Sequence, residues 1–306
     1  MFNKIVVIEP INILEYQKQK LSDYGKEVIF YDTLPLNDSD IIKRINDADC
    51  VLLSYTTSLN SYVIQNCPNI KYIGMCCSLY SKESANVDIS YCEEHNIMVT
   101  GVRDYGDNGV IEYIIHELVE FLQGYKDLKW DIMPKEITNL KCGIIGLGTS
   151  GTMIARALKF FGAEVSYYSR TRKQHLEQEI GINYLSLNEI CQNAEAIFLA
   201  LNKNVLLLQE EHFSLMSGKR ILFNTSIGPG FDPTALKTWL KDKNHYFFGD
   251  TLNTAGDLSI WQLDNTFTIN RSSGGYTHQA FERLGNKVLN NLSDFLNNNS
   301  IENNLF

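Results

Sequence analysis

The sequence predicts an α/β protein built from two doubly wound parallel-sheet domains, and three observations carry that prediction. Short apolar runs alternate with helical stretches along nearly the whole chain, the pattern of parallel strands joined by crossover helices. At 306 residues, 44% of them apolar, the chain exceeds one ordinary domain and can fill two cores. The third observation is the stretch 142–173, CGIIGLGTSGTMIARALKFFGAEVSYYSRTRK, where strand, glycine turn, helix and strand follow in close succession.

In chain order, the first hundred residues give strands at Lys4–Ile8, Glu27–Tyr31, Cys50–Ser54, Lys71–Cys76 and Ile97–Thr100. Between them lie helical stretches at Leu14–Tyr24, Asp38–Ala48, Ser61–Asn66 and Asp88–His95, with Asp38-Ser39-Asp40 offering a cap. No glycine-rich phosphate loop occurs in this region. The loop Cys77-Ser78-Leu79-Tyr80 leaves the carboxyl end of the fourth strand, where open α/β sheets bind ligands. Residues 101–109, GVRDYGDNG, read as a loop, and a long helix from Val110 to about Lys129 marks the crossing into a second domain. Further strands are expected at Ile182–Leu185, Ala196–Leu201, Arg220–Thr225, His245–Gly249 and Thr266–Ile269. A last helix, Thr277 to about Leu296, runs into an asparagine-rich end that reads as frayed.

The central stretch carries the chemistry. Cys142–Ile145 is a short buried strand, and Gly146, Gly148 and Gly151 complete a G-x-G-x-x-G with Thr149 and Ser150 inside it. From Thr152, apolar residues Met153, Ile154, Ala157, Leu158 and Phe161 recur at helical spacing until Gly162, and Glu164–Tyr168 forms the next strand. In such a unit the first glycine turns the chain off the strand and the second admits a pyrophosphate close to the backbone. The third lets helix pack on strand, and the helix N-terminus offers N–H groups to the phosphates. Nucleotides with a free ribose 2′-hydroxyl call for an acidic residue about twenty residues on. This chain has Ser169, Arg170, Thr171 and Arg172 there, with no carboxylate in the loop. Guanidiniums and hydroxyls suit a 2′-phosphate, so the expected cofactor is NADP(H), with NAD(H) second.

Composition narrows the remainder. A net charge of −9 argues against nucleic acid or an anionic membrane as a default partner. The start MFNKIVVIEP enters a strand directly and does not read as a secretory leader, and no apolar run approaches the ~20 residues of a membrane span. Seven cysteines, at 50, 67, 76, 77, 92, 142 and 191, lack a C-x-x-C and read as reduced, buried thiols of a cytoplasmic protein. Asp250, Asn253 and Asp257 have no accompanying histidine, and no metal site is expected.

Five stretches together bear a resemblance: GIIGLGTSG (143–151), IKYIGMCCSLYSKESANVD (70–88), NGVIEYIIHELV (108–119), AIFLALNKN with GKRILFNTS (196–226), and Gly249-Asp250. Over nearly its whole length the chain resembles the D-isomer-specific 2-hydroxyacid dehydrogenase family. The resemblance implies a flavodoxin-like substrate domain, residues 1–104 and 276–306, interrupted by a Rossmann cofactor domain, residues 105–275. It implies an oxidoreductase acting on a small molecule, a homodimer through the crossing helix, and closure by a hinge near 101–108 and 270–277. It puts Asn224, Thr225 and Asp250 on the cofactor side, Asp250 beside the nicotinamide carboxamide, and Ser78, Leu79 and Tyr80 on the substrate side.

The catalytic positions depart from the family. Members use an arginine to grip the substrate carboxylate, a histidine as acid/base, and a glutamate that tunes the histidine. The matching positions here are Ile227, Arg271 and Ala255. Arginine keeps its proton near neutrality, so Arg271 is expected to bind a carboxylate or polarise an oxygen. His278 and Tyr80 are the candidate proton donors, Tyr105 and Tyr276 are further phenols on nearby loops, and His116 reads as structural. The function expected is an NADP(H)-dependent oxidoreductase transferring hydride to a small carbonyl, imine or activated alkene. The alternative is a catalytically silent NADP(H)-binding sensor or scaffold.

Overall fold

Two all-parallel sheets organise the chain in a computed structural model that describes residues 1–125, 130–203, 205–269 and 273–298. The first sheet is built from β1 (Phe2–Val7), α1 (Glu15–Lys20), β2 (Gly25–Phe30), α2 (Asp38–Ile45), β3 (Cys50–Leu53), α3 (Ser61–Gln65), β4 (Tyr72–Ser78), α4 (Ile89–Glu94) and β5 (Met98–Val102). Its strand order is β2-β1-β3-β4-β5. The strands are apolar runs because both faces are covered. Val6, Ile8, Val51, Leu53, Ile73 and Val99 pack under α2, α3 and α4, while alternate residues Ile5, Val7, Cys50, Leu52 and Tyr72 point to the opposite core.

The second sheet follows α5 (Asp107–Gln123). It comprises β6 (Lys141–Ile145), α6 (Thr149–Phe160), β7 (Glu164–Tyr168), α7 (Gln174–Ile180), β8 (Asn183–Tyr184), α8 (Leu187–Asn193), β9 (Ala196–Leu199), α9 (Glu210–Leu215), β10 (Arg220–Asn224), α10 (Pro233–Trp239), β11 (His245–Gly249) and β12 (Thr266–Thr268). The order β12-β11-β10-β9-β6-β7-β8 reverses direction between β6 and β9, which is where doubly wound sheets open a ligand crevice. One face buries α5 and α6 on Ile144, Phe198 and Phe223, and the other buries α8, α9 and α10 on Ile145, Leu199 and Leu222.

The last helix, α11 (His278–Leu296), returns to the first sheet. Leu284, Val288, Leu289 and Leu292 fill the core that Ile5, Val7 and Leu52 leave open. Gln17, fully buried on α1, donates to Glu282 O at 2.8 Å and Asn286 Oδ1 at 2.9 Å. The chain thus divides into Met1–Tyr105 with His278–Phe306, and Gly106–Thr277, the second unit inserted in the first.

Several boundaries differ from the sequence expectation. The crossing helix begins at Asp107, three residues before Val110, and stops at Gln123, because Gly124 takes a left-handed φ of 67° and closes it. The remainder of that expected helix, residues 126–129, lies outside the described residues, as does the end from 299 that was read as frayed. Gly101 and Val102 belong to β5, not to a loop, and α6 begins at Thr149, earlier than its apolar periodicity at Thr152 suggests. All seven cysteines are buried. Among the described residues no helix is long and apolar enough to cross a membrane.

Candidate cofactor and active site

The glycine turn stands at the carboxyl end of β6. Gly146 has φ +98°, and a Cβ there would lie 2.3 Å from Ala200 O, so only glycine fits between the turn and the chain leaving β9. A Cβ on Gly151 would lie 2.0 Å from Gly146 O, so the third glycine seats α6 against the turn. Gly148 is different: a Cβ there meets nothing within 4 Å. It is also the N-cap of α6, with no side chain capping the helix. The first-turn N–H groups of Thr149, Ser150 and Gly151 have no partner within the helix, and the positive dipole end lies behind them. That is a fit for a pyrophosphate. The Ser150 hydroxyl donates to Asp107 Oδ1, so it is the serine N–H, more than its side chain, that is presented.

At the end of β7 the structure amends the expectation of a loop without a carboxylate. The following helix α7 brings Glu177 to it. Arg172 donates Nε and Nη2 to the two Glu177 oxygens at 2.8 and 2.7 Å, and Glu177 also accepts from Tyr167 OH at 2.8 Å. The guanidinium in hydrogen-bond contact, helped by the phenol and opposed by desolvation, holds the Glu177 carboxyl down to about 2. Arg172 is thus already paired along one edge, whereas Arg170 is exposed and makes no hydrogen bond among the described residues. Ser169 Oγ donates to Thr171 O at 2.6 Å. Lys173 was not singled out in the sequence, although it closes the basic run from Arg170. Its Nζ reaches Leu147 O inside the glycine turn.

Asn224, Thr225 and Asp250 end β10 and β11. Asn224 is fully buried, and its Nδ2 donates to Gly228 O and Thr254 O at 3.0 and 2.9 Å while Oδ1 accepts from Ser226 N at 3.0 Å. It shapes the 225–228 loop from beneath. Thr225 is half-buried, its hydroxyl 3.5 Å from Leu199 O. Asp250 is 3% exposed and accepts from Ser273 Oγ and Gly274 N, each at 3.0 Å, tying down the returning chain. The neighbouring Tyr113 phenol is buried with no hydrogen-bond partner among the described residues, and burial pushes it far up.

In the first unit, Ser78 ends β4 and is half-buried. Leu79 is fully buried against Gly101, so its side chain belongs to the core and not to a substrate surface. Tyr80 is 37% exposed, with the Arg103 guanidinium 5.6 Å from its ring centre. Arg103 Nε donates to Leu79 O at 2.6 Å. Burial pushes Tyr105 up to about 12, against a Ser78 hydrogen bond that lowers it. Tyr276 is exposed, His278 starts α11 exposed, and His116 lies on the outer face of α5 beside Glu117 and Glu120. Arg271 lies outside the described residues. Among the described residues no group of three His, Cys, Asp or Glu side chains could hold a metal ion.

Comparison with known proteins decides the family. The sequence model described as D-isomer specific 2-hydroxyacid dehydrogenase, NAD binding domain, matches residues 110–267, just over half the chain. The chain belongs to this family. It is therefore an oxidoreductase that uses a nicotinamide cofactor. A glyoxylate reductase of Pyrococcus furiosus is 25% identical over 280 residues, 83% of this chain and 81% of that one. Among solved structures, an acyclic imino acid reductase in complex with NADPH and D-Arg superposes with a TM-score of 0.82 at 22% identity, covering 99% of this chain and 100% of that one. D-lactate dehydrogenase from Escherichia coli gives 0.78 at 21%, with the same coverage. Both of these share the fold.

Of the three positions that the sequence analysis matched to the family's catalytic residues, two lie among the described residues. Ile227 is 54% exposed in the loop after β10, and Ala255 is fully buried at the end of a 3-10 turn, followed by Gly256 at φ +73°. Neither offers a polar atom beyond the backbone. The carboxylate brought by Glu177 and the amine of Lys173 escaped sequence reading because both arrive by folding, from α7 and its N-cap, at a loop whose local sequence is basic.

Proposed function

We propose that this chain is an NADP(H)-dependent reductase of a small carbonyl or imine substrate, with a catalytic set different from that of its family. The observation that carries the reading is the end of β7: among the described residues Arg170 makes no hydrogen bond, Arg172 and Lys173 follow it, and Glu177, the one carboxylate brought to the loop, is taken up by Arg172. A 2′-phosphate finds cations there, whereas a 2′-hydroxyl finds no unengaged carboxylate among the described residues. The pyrophosphate would lie over Gly148 and the first turn of α6, and a nicotinamide, once bound, supplies the hydride. The chain's own residues orient: Asp250 fixes the turn at Ser273-Gly274, and Asn224 sets the loop that carries Ile227. With a hydrophobic side chain at 227, an anionic substrate would be gripped elsewhere, and Arg271 is proposed for that role. Tyr80 and His278 are the proposed proton donors, in a homodimer in the cytoplasm. An imine fits this set because a protonated imine already carries its proton. The fold neighbour crystallised with NADPH and D-Arg supports that choice.

A second reading, an NADP(H)-binding sensor or scaffold without turnover, is favoured by the apolar Ile227 and Ala255 at family catalytic positions. Titration with NADPH and NADH, followed by energy transfer from the three tryptophans, tests the cofactor. NADPH is expected to bind at least about tenfold more tightly, with Arg170→Ala removing most of that advantage. Equal binding of both nucleotides would sink the NADP(H) reading. A screen of carbonyls and imines, with Arg271→Ala as control, separates enzyme from sensor by whether NADPH is consumed.

A further inference from the structure

We propose that Glu177 is a positioning residue for nucleotide selection: through Arg172 and Tyr167 it holds the 169–173 loop in the shape that presents its cations to the 2′-phosphate, without touching the nucleotide. The inference rests on the NADP(H) reading above.

Three of the five loop residues, Arg170, Arg172 and Lys173, are cations. Left to themselves they repel and the loop spreads. Tyr167 is the fixed point: its ring is fully buried on β7. Its hydroxyl donates to Glu177 Oε1 at 2.8 Å and accepts from Lys173 N at 2.7 Å. Glu177 then draws Arg172 down with two parallel hydrogen bonds, and the guanidinium lies 5.6 Å from the centre of the Tyr184 ring. Ser169 closes the other side of the turn onto Thr171 O. The next acidic residue of α7, Glu179, is paired with Arg156 at 2.6 Å and takes no part.

This clasp uses one edge of Arg172. Among the described residues Nη1 makes no hydrogen bond and remains for a ligand, as does all of Arg170. An arginine already held in one geometry gives up less freedom on meeting a phosphate. The opposing effect is repulsion between Glu177 and the incoming phosphate. In a loop open to solvent that repulsion is screened over about a Debye length of ~8 Å, and Arg172 sits on the carboxylate. Ordering therefore outweighs repulsion. Because Arg172 holds its carboxyl at about 2, Glu177 keeps the clasp closed at neutral and mildly acid pH.

The test compares dissociation constants for NADPH and NADH in wild type, Glu177→Gln and Tyr167→Phe. The second substitution is isosteric with the buried ring and guards against misfolding of the first. Each is expected to weaken NADPH about tenfold and NADH less than about twofold, and Glu177→Gln added to Arg172→Ala should bring little further loss, because the carboxylate acts through that guanidinium. Equal weakening of both nucleotides would make the clasp merely structural, and an unchanged or improved NADPH preference would also overturn the proposal. A selective loss of NADH would make Glu177 a ribose ligand and overturn the NADP(H) reading too. Wild type binding both nucleotides equally would bring down that reading first, whatever the variants do.

Discussion

The two sheets solve one problem in opposite ways. In each, a central strand ends beside the strand reached by the first crossover of reversed direction, β1 beside β3 and β6 beside β9. There the departing loops point N–H groups into the crevice. After β1 the chain supplies its own anion. Glu9, fully buried, accepts from Ser54 N at 2.7 Å, Thr57 N at 3.3 Å, and the hydroxyls of Thr56 and Thr57, each at 2.7 Å. After β6 the chain supplies glycines, and the space over Gly148 stays open. Topology builds the anion place twice; the side chains decide whether it is filled from within or left for a ligand.

The largest effect should come from emptying the filled end. Glu9→Ala strands two backbone donors and two hydroxyls in a buried place, which costs about 3–5 kcal/mol. Denaturant unfolding of the full chain should show the transition of the first unit moving sharply to lower urea. NADPH affinity should stay within about twofold, since its loop lies in the other unit. If nucleotide binding disappears with Glu9 while the second sheet stays folded, the two ends are not independent and the comparison fails.

A smaller effect comes from filling the open end. In Gly148→Ala the added methyl meets no atom and the backbone has φ −80°, so stability should change by less than about 1 kcal/mol. The methyl nevertheless occupies the approach to the first turn of α6, so NADPH should bind about tenfold or more weakly. Gly146→Ala is the contrast: with φ +98° and a clash at 2.3 Å on a carbonyl, it should lose stability and binding together. Undiminished NADPH affinity in Gly148→Ala, measured by the same fluorescence titration, would mean that the open space is not the phosphate place.

The filled and open ends were unequally legible in the sequence. The glycine turn could be read because its requirement is local: three glycines at fixed spacing between a strand and a helix. Both sheets could be read for the same reason, each strand being a short apolar run between turn signals. Glu9 could not, because its four donors lie some 45 residues away, on the loop after β3. Glu177 could not be read either, because its role depends on Tyr167 and Arg172 meeting it in space. Leu79 misled in the other direction. It sits in the right loop, but strand pleating turns its side chain into the core. What sequence resolves is periodicity and local turn chemistry; which face a loop residue presents is set by packing.

The smallest expected effect separates the clasp at the open end from the rest of the molecule by pH. Glu177 has a folded-state value of about 2, against about 4.3 for an unperturbed glutamate. A carboxyl depressed by folding stabilises fully above its unfolded value and loses that contribution as pH falls toward the folded one. The stability difference between wild type and Glu177→Gln should therefore be flat from about pH 8 to pH 5, then shrink between about 4.5 and 2. Arg172 is half exposed and screened, so the difference is small even where it is complete. Paired denaturant titrations across that range will show it. A difference that instead stayed constant down to pH 2 would mean that Glu177 is not held by Arg172 in solution, since its folded and unfolded values would then coincide. The open end of the second sheet would then have a mobile acid beside its phosphate place, where the structure shows a fixed one.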